Sequence, residues 1–437
     1  MKNSGFVYDI NHKNIDKGSA RNLQICHTLF YGTTFFNTTF LDAYIYSFAT
    51  DIFNYVMRVG IFYLALYGTF LLTYWLFSLI TDKTDRIWLY RISILFRFGF
   101  ILFIVFYGKS LANTLILAGV LNGLCDSMYY ASFNVLKQEM VSRKNMKEFA
   151  TLSAILKQLT SVVTPMLLGT LIQVSSFLQT SIYIAVIIAI MIVLSFFIKA
   201  KKPLNSDFSL KQYFKKLGQD EEVKKKMKFV YLIALTDGFM TVVGTLLNVC
   251  IMLQFGSSFS LGAITSIIGL CSIIQLFLFN KFTKPNKRNW LFYLMIIVPF
   301  IVSLIFVIWP SMTTIVIYYV GIASSKIMFN TLFDIYRNQN LKEAGLFSEI
   351  AEHQTVVESM FCIARTISFS ILILVGLAKS SLVFEITFIL FSCSYSVTAL
   401  LVWIYEKKYI KPPEVILRSE KEQEKNFNKI IKDVYKK

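Results

Sequence analysis

Residues Val120–Val135 read VLNGLCDSMYYASFNV, and 200 positions further on Val320–Ile335 read VGIASSKIMFNTLFDI. Val120 aligns with Val320, Met128 with Met328 and Phe133 with Phe333. The polar residues align as well: Asp126, Tyr130 and Asn134 fall against Lys326, Asn330 and Asp334. Each trio is spaced i, i+4, i+8, which in a helix is one stripe on one face. Shared apolar residues are common in such segments; a shared polar stripe is harder to obtain by chance. The two stretches read as equivalent helices of a duplicated chain. A second alignment, offset by 206, sets Tyr31-Gly32 against Asp237-Gly238, Thr39 against Thr245, Leu41 against Leu247 and Asp42 against Asn248.

The rest of the chain explains why these helices are apolar. Of 437 residues, 55% are hydrophobic and 16% charged, with 41 Phe and 23 Tyr. A soluble surface needs roughly a quarter of its residues charged. That excludes a soluble enzyme, a coiled coil and a disordered chain. A bilayer takes about 20 apolar residues per helix. Twelve candidate spans follow, near 25–49, 55–80, 88–108, 111–133, 149–173, 179–199, 229–253, 259–280, 290–309, 311–334, 351–378 and 383–404. Thr, Asn and Asp interrupt the first, which is the weakest. None shows the two-residue alternation of a membrane β-barrel, so the spans are helices.

The charges set the orientation. Thirty-six of the 44 Lys and Arg fall in the two tails and in the loops after spans two, four, six, eight and ten. The opposite loops carry Lys109 and Lys379. The positive-inside rule then places both termini in the cytoplasm of a multi-pass cell-membrane protein. The net charge of +18 reports topology and contact with the lipid bilayer, not a nucleic-acid partner. The polar segment 1–24 reads as a cytoplasmic tail rather than a signal peptide. The expected organisation is a six-helix bundle over 25–199, a basic cytoplasmic loop over 200–228, a second bundle over 229–404 and a charged tail over 405–437. The loop reads as a surface helix on the inner leaflet, with a docking segment as the alternative. The six cysteines lie at or inside apolar runs without a metal-binding spacing, so they read as buried apolar residues.

Two pseudo-symmetric halves about an axis along the membrane normal are a transporter architecture. The loop after span two sharpens this. Ser78, Asp82, Lys83, Thr84, Asp85, Arg86 and Ile87 resemble the major facilitator pattern Gly-x-x-x-Asp-Arg/Lys-x-Gly-Arg-Arg/Lys at Asp82, Lys83 and Arg86, with both glycines and the last basic residue missing. Pro165 and Gly169 in span five resemble a second stretch of that family. The chain is therefore identified by resemblance as a member of the major facilitator superfamily. The resemblance implies an all-α protein of twelve transmembrane helices in two six-helix bundles, a cavity lined by spans one, four, seven and ten, and gating by Asp82, Lys83 and Arg86.

An ionised group at a span centre costs about 2.5–3.5 kcal/mol on insertion scales, so it faces a partner or a cavity. The deep acids are Asp42, Asp126, Asp237 and Glu358; the deep bases are Arg97, Lys157, Lys326 and Arg365. Structural pairs are one reading: Asp126 with Lys157 or Arg97, Glu358 with Arg365, Lys326 with Asp237. The other reading assigns substrate contacts to Asn37, Asp42, Tyr130, Asn134, Asp237, Asn248, Lys326, Asn330 and Arg365. A carboxyl buried away from a base holds its proton more tightly, which makes Asp126 or Glu358 the expected proton carrier. Aligned positions also predict Asp126 facing Lys326 across the cavity. Arg58 and Arg91, near span ends, read as structural.

No HExxH, GxSxG or phosphate-loop motif occurs, so no enzyme activity, cofactor or metal is expected. The expected function is a monomeric secondary transporter. It would move a small polar or amphipathic solute by alternating access, with H⁺ as the coupling ion and export favoured. The alternative is a transporter-like sensor or scaffold without a transport cycle.

Overall fold

The computed structural model describes residues 17–409 apart from 84, 141–145, 200–207, 283–288, 344 and 347–348. Long helices follow one another, joined by short turns. The first span is composite: α1 (Lys17–Phe35), a π-helical turn (Phe36–Phe40) and α2 (Leu41–Tyr46). Next come α3 (Ile52–Lys83), α4 (Arg86–Tyr107), α5 (Leu115–Met140), α6 (Met146–Val174) and α7 (Phe177–Phe196). The short helix α8 (Leu210–Leu217) lies in the central loop. The second half holds α9 (Glu221–Phe255), α10 (Ser258–Phe282), α11 (Asn289–Ile308), α12 (Met312–Glu343), α13 (Ile350–Ala378) and α14 (Ser381–Tyr409). Ten helices among the described residues are long and apolar enough to cross a membrane. The other two expected spans are the composite first one and α5, both broken by polar residues.

Side chains at the helix starts satisfy N–H groups that the helices leave unpaired. Ser176 caps α7, Ser209 caps α8 and Asp220 caps α9. Asp85 caps α4, its Oδ1 accepting from the Ile87 N–H at 3.2 Å. Arg86 reaches back to donate from Nε to the Thr81 carbonyl at 3.0 Å. The start of α4 is thus bonded locally at both Asp85 and Arg86. In the first span, Thr33 and Thr34 both donate to the Phe30 carbonyl, and Thr38 to that of Thr34. Such back-bonding bends helices, and the π turn follows directly.

Leu72, Phe106 and Val174 each expose three quarters or more of their surface, within a wide apolar belt. Water would not tolerate that belt; lipid would. Inside, α3 packs along α5 and α13, α6 along α10, α4 between α5 and α7, and α9 on α13 and α14. The α3–α13 and α6–α10 pairs join the two halves of the chain. The start of α1 meets the end of α7 through Ser19 and Lys199, which defines a terminal end. The closest approaches between the halves lie toward the opposite, distal end. A Cβ on Gly376 would sit 2.7 Å from Met57 Cβ and the Phe53 carbonyl. One on Gly169 would sit 2.7 Å from the Ser258 carbonyl. At the terminal end Thr355 Oγ1 donates to Ser78 Oγ at 3.1 Å.

The amphipathic α8 buries Tyr213 and Leu217 against Met227, Leu341, Leu346 and Val356. It docks on the second half, where the sequence favoured a helix lying on lipid. Tyr213 bonds His353 Nδ1 at 3.1 Å and the Tyr231 hydroxyl. Lys216 pairs with Glu349, and Glu352 accepts from the Ser209 N–H at 3.0 Å. Burial pushes the Tyr213 phenol up to about 12, so it stays neutral at ordinary pH.

Candidate functional site

Arg97 of α4 is fully buried. Its Nη1 lies 3.3 Å from Asp126 Oδ1 of α5, an ion pair whose alignment falls short of a hydrogen bond. The same nitrogen donates to Asn122 Oδ1, one helical turn before Asp126. Nη2 donates to Thr34 Oγ1 at 3.4 Å. The π turn holds Asn37 buried beside the guanidinium. With its amide oxygen turned to these donors, Asn37 accepts from Nη1 at 2.8 Å and Nε at 3.2 Å. The Phe30 ring lies 4.5 Å from the guanidinium carbon. A charge removed from water needs such a full set of partners. Asp126 keeps 16% of its side chain accessible where Arg97 keeps none, so the carboxylate is the open side of the pair.

The second half supplies Lys326 on α12, Asp237 on α9, and Glu358 and Arg365 on α13. Asp237 and Arg365 are the charged neighbours of Lys326. Arg97 and Arg365 are those of Asp126. The charges therefore gather within each half, and Arg365 links the groups, where aligned positions had set Asp126 opposite Lys326. Arg365 Nε donates to Thr241 Oγ1 of α9 at 3.1 Å. Its guanidinium stacks on Tyr67 of α3 at 5.0 Å and Phe361 at 5.4 Å. Glu358 neighbours Arg365, Tyr74 and Tyr130. Asp126, Tyr130, Asp237, Lys326, Asn330, Glu358 and Arg365 are all half-buried. These partly accessible charges come from both halves of the chain.

The remaining candidates fall in different places. Asp42 is fully buried, and its Oδ2 accepts from Asn248 Nδ2 at 3.0 Å. Oδ1 has no ordinary hydrogen bond, with the Tyr63 phenol beside it. Asp42 and Asn248 are aligned repeat positions, and they close the first span onto α9 in the distal half. Asn134 donates to the Tyr74 hydroxyl at 3.3 Å, and Tyr130 stands edge-on to Phe30. Lys157 lies over the Tyr31 ring. Arg58 bonds Asn54 and the Ala112 carbonyl, and Arg91 bonds the Ser195 and Ile198 carbonyls at the end of α7. The side chains of Asp82 and Lys83 lie outside the described residues; Arg86 is buried. A cavity of about 180 Å³ opens between Cys250, Phe306, Phe384 and Phe388 at the distal end of the second half, away from these charges. Among the described residues no cluster of potential metal ligands occurs.

Sequence reasoning missed Phe30, Asn122 and Tyr67. Asn122 was within reach, since it precedes Asp126 by one turn on the same face. Phe30 and Tyr67 carried no signal beyond being aromatic.

Among solved structures, the nucleoside transporter NupG (D323A mutant) matches with a TM-score of 0.64 and 14% identity, over 90% of this chain and 100% of that one. A bacterial homologue of the iron transporter ferroportin, in an inward-facing state, gives 0.62 and 15% over 89% and 98%. The human organic anion transporter MFSD10 gives 0.62 and 12% over 88% and 99%. These likenesses concern the fold. An uncharacterized protein of Bacillus subtilis (strain 168), YqgE, is 22% identical over 225 residues, 50% of this chain and about half (51%) of that relative. The family profile described as Major Facilitator Superfamily matches residues 25–341. With that match over most of its length and the transporter fold just described, the chain belongs to the Major Facilitator Superfamily.

Proposed function

We propose that this protein is a secondary active transporter that moves a small polar or amphipathic solute by alternating access, driven by H⁺, with export favoured over uptake. The moving units would be the halves 25–199 and 229–404, rocking about a site between them. The observation that carries this reading is the mid-span set of half-buried charges drawn from both halves, beneath a distal contact made by Asp42 and Asn248. Such charges are costly in a membrane interior unless function uses them. Asp126 is the leading proton carrier. It faces Arg97 of α4 and Arg365 of α13, with Tyr67 and Tyr130 close by. A proton arriving on Asp126 would neutralise the carboxylate that Arg97 and Arg365 face, so proton binding and solute binding at those cations would be coupled. Glu358, beside Arg365, Tyr74 and Tyr130, is the second carrier.

The titles of the structural relatives name nucleosides, iron and organic anions, three unlike solutes. The substrate therefore has to be read from this chain's own site. The test is proton flux in vesicles reconstituted with the purified protein under an imposed pH gradient, across a panel of solutes. Solute-dependent flux that collapses with a protonophore supports the reading. Well-folded protein giving no flux with any solute would support a sensor or scaffold instead.

A further inference from the structure

Arg365 is held differently from Arg97. Arg97 has Asp126, Asn122, Asn37 and Thr34 around it. Lys326 has Asp237 as its oppositely charged neighbour. Arg365 donates from Nε to Thr241 Oγ1 at 3.1 Å, lies against the Cys362 thiol, and has Glu358 and Asp237 as charged neighbours without an ion pair at contact distance among the described residues. Beyond the Cys362 thiol beside it, its terminal amino groups meet no oxygen acceptor among the described residues. Yet the group is held firmly. Thr241 bonds it from α9, and the rings of Tyr67 on α3 and Phe361 on α13 lie 5.0 and 5.4 Å from its guanidinium carbon. Packing of this kind orients a guanidinium while leaving its forked edge open. That edge matches a carboxylate or phosphate, which can take two parallel N–H···O bonds. Lys326 is its like-charged neighbour. Asp237 neighbours both cations and offsets part of their mutual repulsion, so an incoming oxyanion shares them with that carboxylate.

We propose that Arg365, with Lys326 as the second cation, is the subsite for an oxyanion on the transported solute, which makes the substrate class an organic anion. This rests on the transporter reading and narrows it. The anion would sit where α3, α9 and α13 meet, in contact with elements of both halves. Its arrival would therefore strengthen the contact between halves in a way that a neutral solute could not. Glu358, Asp237 and Asp126 surround the same guanidinium electrostatically. They would discriminate against a second negative charge placed away from the fork.

Binding is tested on the purified full chain in nanodiscs, without a gradient, so that the result does not depend on transport. The probes are benzoate and phenyl phosphate, compared with the neutral benzamide and benzyl alcohol, at ionic strength matched with chloride. The readout is the unfolding midpoint as a function of probe concentration. Either anion should raise the midpoint saturably, and the neutral probes should not; the better of the two anions tells carboxylate from phosphate. Arg365→Gln should weaken the anion's apparent affinity by about tenfold or more, the usual loss when a charged hydrogen-bond partner is removed. Arg365→Lys should retain an intermediate effect, because it keeps the charge and loses the fork. Arg58→Gln, at the distal end, should bind as wild type does. Equal shifts with benzoate and benzamide, no shift with either anion, or an undiminished anion shift in Arg365→Gln would each overturn the proposal. If Arg365→Gln fails to fold, the wild-type comparison and Arg365→Lys decide it. Anion binding without flux would refute the transporter reading and leave this subsite standing; flux of neutral solutes alone would do the reverse.

Discussion

Arg97 and Asp126 show what one buried charge demands of its surroundings. Five side chains from α1, the π turn and α5 converge on the guanidinium. Removing the base alone, as in Arg97→Gln, leaves Asp126 exposed to Arg365 only. Breaking a buried pair in this way costs about 3–5 kcal/mol. Chemical unfolding in detergent should show that loss, and Arg97→Gln with Asp126→Asn should recover most of it. Asp126→Asn alone keeps an acceptor for Arg97 and should fold. Its transport should lose its dependence on pH between the wild-type limits, because no proton can then be exchanged there. Unchanged pH dependence in a well-folded Asp126→Asn would pass the role to Glu358. Much of this cluster was legible in the sequence, since ionisable residues inside apolar runs announce themselves. Who pairs with whom was not. The pairing depends on the π turn that swings Asn37 inward, and a one-residue change of helical phase is invisible to periodicity.

At the scale of elements, α8 was readable as an amphipathic helix but its docking face was not. Periodicity gives an apolar side without saying whether lipid or protein covers it. In the structure Tyr213 and Leu217 answer that, by burying against α9, α12 and α13. Tyr213→Phe would leave His353, whose Nε2 has no partner among the described residues, without its Nδ1 partner as well. An orphaned buried group costs about 1–3 kcal/mol. The cost should appear as local opening: faster hydrogen exchange over 209–220 and over the first turns of α13, with the rest of the bundle unchanged. Uniform exchange across all helices would mean that α8 is part of the global folding unit instead. The span count illustrates the same limit. Among the described residues ten helices pass on length and apolarity, and the two expected spans that do not, the first span and α5, carry Asn37, Asp42, Asn122 and Asp126. The residues that weaken a hydrophobic signal are the residues that build the site.

For the whole molecule, the two questions are which way it faces and how it opens. The basic loops predict the first: cysteine at Lys109 or Lys379 should react with an impermeant reagent added outside cells, and cysteine at Ser206 should not. The second follows from the contacts between halves. The sequence repeats made two matched halves visible, but not where they touch, because close approach depends on glycines whose partners lie on other helices. At the distal end Gly169 of α6 faces backbone atoms of α10: a Cβ there would lie 2.7 Å from the Ser258 carbonyl, 3.1 Å from Gly262 Cα and 3.3 Å from Phe259 Cα. Backbone cannot rotate aside as a side chain can, so Gly169→Leu should wedge α6 from α10. The α3–α13 contact around Gly376, which joins the halves at the same end, would have to follow if each half moves as a unit. Spin labels at Asp51 and Lys379, on distal turns of opposite halves, report that motion at a distance from the substitution. Their separation should lengthen in Gly169→Leu, while an imposed proton gradient no longer drives turnover. Reversing a population from 1:99 to 99:1 takes about 5.5 kcal/mol, a size that a backbone clash can supply and the loss of one hydrogen bond cannot. For that reason Asn248→Ala, which removes the bond to Asp42, should broaden the distance distribution without reversing it. A Gly169→Leu protein with wild-type distances and full transport would show that the halves do not separate at α6 and α10.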